Sequence, residues 1–110
     1  MYEYKAVIDN VVDGDTIDAT LDLGFKAYVR QRMRLAHIDT PERGKPGFAE
    51  ATQALRDMVL NKTVVIHSTK TSKWGYYLAT VRLDDGTDVG QKMVERGLAK
   101  PYEGGTKGVA

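Results

Sequence analysis

In the first part of the chain, apolar residues keep returning at every second position. Tyr4, Ala6 and Ile8 alternate with polar neighbours, and the pattern resumes through Ile17, Ala19 and Leu21. Successive side chains on a strand point to opposite faces, so each run offers one face to a core and one to water. Asp13-Gly14 separates the first two runs and is a strong hairpin signal, and Leu23-Gly24 opens a second turn. A third run, Phe25 to Ile38, sets Val29, Met33 and Leu35 on one face and Arg30, Arg32 and Arg34 on the other. A chain that starts this way is β-like in its first part.

The period then changes. After the loop "PERGKPG", Phe48, Ala51, Leu55, Met58 and Val59 recur at spacings of three and four, which predicts an amphipathic helix ending near Asn61. "KTVVIHSTK" reads as a strand through Val64 and Ile66. "YYLATVRLDDG" reads as another, with Tyr77, Ala79, Val81 and Leu83 opposite Tyr76, Leu78, Thr80 and Arg82. Asp88 with Gln91 three residues on resembles a capping box, opening a short helix that stops at Gly97.

Three strands, a helix, two strands and a helix predict a mainly β fold with helices. The order fits a five-stranded OB-fold β-barrel (the oligonucleotide/oligosaccharide-binding kind), with one helix between strands 3 and 4 and a short helix after strand 5. An α+β sandwich satisfies the same order. The 110 residues are expected to form a single domain, 1–110, with the glycine-rich tail 103–110 flexible. With no cysteine there is no disulfide and no thiolate metal site. The net charge of +1 means that any phosphate-binding surface must come from local placement of basic residues. No basic start followed by an apolar run opens the chain, and no stretch reaches the ~20 apolar residues of a membrane span. The expected setting is intracellular (cytoplasmic) or virus-encoded, and the expected state is a monomer.

The chemistry concentrates in "LAHIDTPERG". A plain turn needs only the proline and a small polar residue, yet Asp39 and Glu42 flank Thr40-Pro41, with Arg34 just upstream and Asp15 at the first hairpin. Asp15, Asp39 and Glu42 lie at strand ends or in adjoining loops, where side chains can converge without entering the core. Hard oxygen ligands of this kind suit Ca²⁺ or Mg²⁺. Asp15 and Asp39 are candidate metal ligands through their carboxylates, and Thr40 through its backbone carbonyl. Pro41 pushes Thr40 toward extended geometry and so aims that carbonyl. Glu42 is placed to orient or deprotonate a water, and Arg34 offers a bidentate fork to a phosphate. Taken singly, each signal has an ordinary reading: a hairpin turn with solvated acids, the wet face of a sheet, a helix start capped by Thr40. His37 falls in phase with Met33 and Leu35 and is expected at the core edge, satisfied by the backbone.

"VVDGDTID", "RLAHIDTPE", "SKWGYYLATV" and "VERGLAKPY" together resemble the staphylococcal nuclease (thermonuclease) family in order and approximate spacing, from about Lys5 to Tyr102. The resemblance implies the same five-stranded barrel and a Ca²⁺-dependent phosphodiesterase that cuts DNA and RNA to leave 3′-phosphates. It makes Asp15 and Asp39 the calcium-binding aspartates and Thr40 the carbonyl ligand. Glu42 matches the glutamate assigned to the attacking water, and Arg34 the first catalytic arginine. Lys73 and Trp74 match the residues beside the nucleotide, and Tyr102 lies near a tyrosine that flanks the 5′-phosphate. An aromatic face stacks any base, for about 1–3 kcal/mol, without reading sequence.

The chain departs from that pattern at one position. The family has an arginine directly after the aromatic-glycine pair, whereas Trp74-Gly75 is followed here by Tyr76. Tyrosine donates one neutral hydrogen bond and brings no positive charge. Arg82 lies roughly 20 Å along the strand, too far to substitute, whereas Arg30 and Arg32 share the face of Arg34 at roughly 7–14 Å. Lys73 sits across the turn. Two activities stay open on this reading: a working but slowed nuclease, or a nucleic-acid-binding barrel with little or no cleavage.

Overall fold

The computed structural model describes residues 2–71 and 76–102. The tail expected to be flexible, 103–110, and the nucleotide-side candidates Lys73 and Trp74 lie outside the described residues. Five strands close into a barrel: β1 (Tyr2–Asp13), β2 (Thr16–Asp22), β3 (Tyr28–Leu35), β5 (Thr63–Thr71) and β6 (Tyr77–Arg82). Around the barrel the order is β1-β2-β3-β6-β5; β3 and β6 run parallel and the other neighbours antiparallel. The short β4 (Ile38–Asp39) pairs with β7 (Lys100–Pro101) outside the barrel. Helix α1 (Phe48–Val59) falls between the third and fourth barrel strands and α2 (Val89–Glu95) follows the fifth. The chain is a mainly β, OB-type barrel with two helices, as the alternation predicts.

The barrel interior holds the residues that the period-two pattern turned inward. Ile8, Ile17, Leu35, Ile66 and Val81 are fully buried, and Leu55 of α1 and Met93 of α2 close the core from the helix side. Both helices have readable ends. Asp88 accepts a hydrogen bond from the Gln91 N–H at 3.1 Å, while Asn61 takes a left-handed φ of 62° just past α1. Helix α1 ends at Val59, two residues short of the expected end, because Leu60 is already extended. Among the described residues no helix is long and apolar enough to cross a membrane.

The third strand is shorter than its sequence suggests. Phe25 and Lys26 both have positive φ, 55° and 62°, in the turn before it, and Phe25 is fully exposed. At the other end β3 stops at Leu35, and Ala36 donates to the Ala79 carbonyl at 2.8 Å. The chain then turns at His37, where φ is 69°. That turn resets the alternation, so His37 is exposed and not at the core edge. Its backbone carbonyl accepts from the Tyr102 N–H at 2.8 Å. The same turn starts β4 and carries Asp39 back toward Arg34.

Candidate active site

The β1–β2 hairpin, the turn after β3 and the start of β6 meet at one end of the barrel around a groove of about 280 Å³. Asp15, Arg34, Asp39, Thr40, Glu42 and Tyr76 all line it, together with Asp13 and Arg32. Cross-strand pairing of Thr16 with Arg34, and the Leu35 N–H donating to the Asp15 carbonyl at 2.8 Å, fix the hairpin turn against the end of β3. Gly14 is required by close approach: a Cβ there would lie 2.8 Å from the Ala51 Cβ and 2.9 Å from Thr40 Oγ1. Helix α1 and the Thr40 loop thus press directly on the turn that carries Asp15.

Arg34 gathers the carboxylates. Its Nη2 donates to Asp15 Oδ2 at 3.3 Å, to Asp39 Oδ1 at 3.2 Å and to the Ile38 carbonyl at 3.2 Å. Two oxygens so close to one nitrogen are at most about 6.5 Å apart, the sum of the two carboxylate distances. The Tyr102 ring lies 5.2 Å from the guanidinium carbon, held there by the β4–β7 pairing. Tyr102 therefore enters the site as the platform under Arg34.

Asp15 is buried, and burial pushes its carboxyl up to about 6; the adjacent Asp13 carboxyl adds to the rise. The Arg34 charge and the Thr40 N–H, which donates to Asp15 Oδ2 at 3.3 Å, pull the other way. Burial is the largest cause of the rise, and the Arg34 charge offsets only part of it. The donors here are hard: two carboxylates and the main chain at Thr40, whose buried Oγ1 has no hydrogen-bond partner among the described residues. Calcium takes oxygen ligands at about 2.3–2.6 Å, so oxygens up to ~5 Å apart can share one ion. The donor types are those of a hard cation, and the Arg34 guanidinium bridges the two carboxylates here. Among the described residues no three His, Asp or Glu side chains gather closely enough to hold a metal, which leaves Glu42 at the exposed rim of the groove and outside the pair.

Two acidic residues, one lining the groove and one holding a groove arginine, were not singled out in the sequence. Asp13 reads as a turn residue, yet it sits beside Asp15. Asp18 reads as a polar residue on a hairpin, yet it is buried under a fork from Arg32, with Nε–Oδ1 at 2.8 Å and Nη2–Oδ2 at 3.2 Å. The hairpin register, set by a turn over residues 23–27, puts Asp18 opposite Arg32. Tyr76 and Tyr77, which alternation forbids from both facing inward, are both exposed, at 47% and 44%.

Fold and groove together define a class: an OB-type barrel with an aspartate–arginine cluster where its first hairpin meets the loop after its third strand. The family described as "Staphylococcal nuclease homologue" matches residues 32–108. The chain belongs to the staphylococcal nuclease family. A protein of Escherichia coli named "Uncharacterized endonuclease" is 33% identical over 93 residues, covering 84% of this chain and 58% of that protein. "Protein ParB" of Escherichia coli is 33% identical over 108 residues, covering 91% of this chain and 58% of its own length. "Micrococcal nuclease" of Shigella flexneri is 29% identical over 110 residues, covering 91% and 59%. The chain spans about three fifths of the length of these relatives.

Proposed function

We propose that the chain is a Ca²⁺-dependent nuclease domain that hydrolyses phosphodiester bonds in DNA, RNA or both, leaving 3′-phosphates. What supports the reading most is Arg34 bridging Asp15 and Asp39 in a groove that also carries Glu42, in a member of this family. Asp15, Asp39 and the Thr40 carbonyl would hold the ion, which when bound offsets the carboxylate charge and draws in a phosphate oxygen. Arg34, with its plane backed by Tyr102, binds the non-bridging phosphate oxygens through its paired N–H groups. Glu42, at the exposed rim, accepts the proton of the attacking water as its oxygen bonds to phosphorus; the bond from phosphorus to the 5′-oxygen breaks, and that oxygen leaves as a hydroxyl with a proton from solvent. Tyr76 contributes one neutral hydrogen bond to the phosphate, and Lys73 and Trp74 serve the nucleotide side. A single-stranded or otherwise flexible polynucleotide suits an open groove of this size.

Tyr76 also favours a second reading, in which the groove binds nucleic acid and hardly cleaves. One assay separates the two. Denatured DNA is incubated with Ca²⁺ or with EDTA, using the parent and Glu42→Gln. Degradation with Ca²⁺ alone, falling by about 10²–10⁴-fold in Glu42→Gln, is the expected result. Ca²⁺ binding without degradation at high protein concentration would establish the binding module instead.

A further inference from the structure

The groove carries a second arginine that the roles above leave unused. Arg32 lines it together with Arg34 and Tyr76. Strands β3 and β6 pair in parallel with Met33 opposite Tyr77 and Arg34 opposite Leu78, so Arg32 lies beside Tyr76 one step earlier on both strands. Residues two apart on a strand share a face at about 7 Å, which makes Arg32 and Arg34 neighbours along the groove.

Its surroundings orient Arg32 without occupying it. The fork onto Asp18 engages two of the five guanidinium N–H donors. Asp18 also accepts from Asn10 Nδ2 at 3.1 Å and has Arg30 Nη2 at 3.6 Å, so it is a fixed anchor that does not depend on Arg32 alone. The Arg32 side chain is 52% exposed, whereas that of Arg34 is 19% exposed and already binds three acceptors. Arg30, on the same strand face, pairs with Asp9 at 3.4 Å and does not line the groove.

We infer that Arg32 is a second phosphate-binding residue, taking the phosphodiester beside Arg34 and supplying from β3 the positive charge that Tyr76 does not supply from β6. The inference rests on the nuclease reading above and extends it to a residue with no assigned role. It also makes positions 32 and 76 energetically coupled, since a guanidinium at either would serve the same phosphate.

The test combines cleavage rates with salt-dependent binding. Initial rates on single-stranded DNA in Ca²⁺ are measured for the parent, Arg32→Ala, Tyr76→Arg and the double variant. Affinity for a fluorescein-labelled single-stranded oligonucleotide is measured against salt in the Glu42→Gln background. Arg32→Ala is expected to lower the rate about 10²-fold, the usual loss for one charged donor at a reacting phosphate. It should also flatten the plot of log affinity against log salt by ~0.7, the loss of one phosphate contact on a single strand. Arg32→Lys should keep that slope. Tyr76→Arg should raise the rate at least about tenfold in the Arg32→Ala background and about twofold or less in the parent, the non-additivity of coupled neighbours. If Arg32→Ala melts early, Arg32→Gln gives the same slope measurement. A parent that cleaves, with Arg32→Ala equal to it in rate and slope, overturns the inference and leaves the nuclease reading intact. A parent that neither binds nor cleaves overturns both.

Discussion

Asp15→Asn should make this protein more stable at neutral pH when divalent cations are removed. Burial raises the Asp15 carboxyl from 3.8 to about 6. Between those values the native state holds a proton that the unfolded chain has released. The stability this group lends is therefore present in full below pH 3.8 and is lost as pH rises through 6. A rise of about two pH units corresponds to roughly 3 kcal/mol at ~1.4 kcal/mol per unit. For a chain of this length that is a fall in Tm of about 10 °C between pH 4 and pH 8. Asparagine carries no titrating proton, keeps an oxygen for the Thr40 N–H and leaves Arg34 paired with Asp39. The assay is thermal unfolding of both proteins in EDTA across that pH range. Asp18, held low by its bonds to Arg32, and Asp85, held low by Thr87, titrate alike in both proteins and cancel in the difference between profiles. Excess Ca²⁺ should remove much of the wild-type fall and leave the variant unmoved. Parallel profiles for the two proteins would refute the argument.

Two further substitutions probe how the fold delivers the site. Gly14→Ala drives a methyl group into Ala51 and Thr40 Oγ1 and should cost about 1–3 kcal/mol, read as a drop in chemical-denaturation midpoint. It should also weaken stabilisation by Ca²⁺, because it displaces the Thr40 loop. Asp88→Ala removes the bond to the Gln91 N–H at the start of α2 and should cost about 1 kcal/mol by the same measurement, with cleavage unchanged.

The barrel was legible because its information is local. Period-two runs, Asp13-Gly14 and Leu23-Gly24 set the first three strands, and a change to spacing of three and four set α1. The convergence of Asp15, Arg34 and Asp39 was legible as residue types at strand ends. What local pattern could not carry was the turn at His37. The left-handed φ of His37, two residues past β3, ends the alternation, exposes that side chain and folds Asp39 back onto Arg34. Tyr102 was read as a residue near a phosphate. Its place under Arg34 depends on β4 pairing with β7, more than sixty residues apart in sequence, and short bridges of that kind leave no periodic signal. Burial of Asp18 was hidden for a related reason: β2 buries Ile17, Asp18 and Ala19 in succession, because the Arg32 and Arg30 side chains of the neighbouring strand fold over Asp18.

The most direct test is a crystal structure of the protein grown with saturating Ca²⁺. The account predicts one ion shared by Asp15, Asp39 and the Thr40 carbonyl, with Arg34 turned from its present 3.2 and 3.3 Å contacts toward the open groove. Arg34 still bridging both aspartates, with no ion between them, would contradict it.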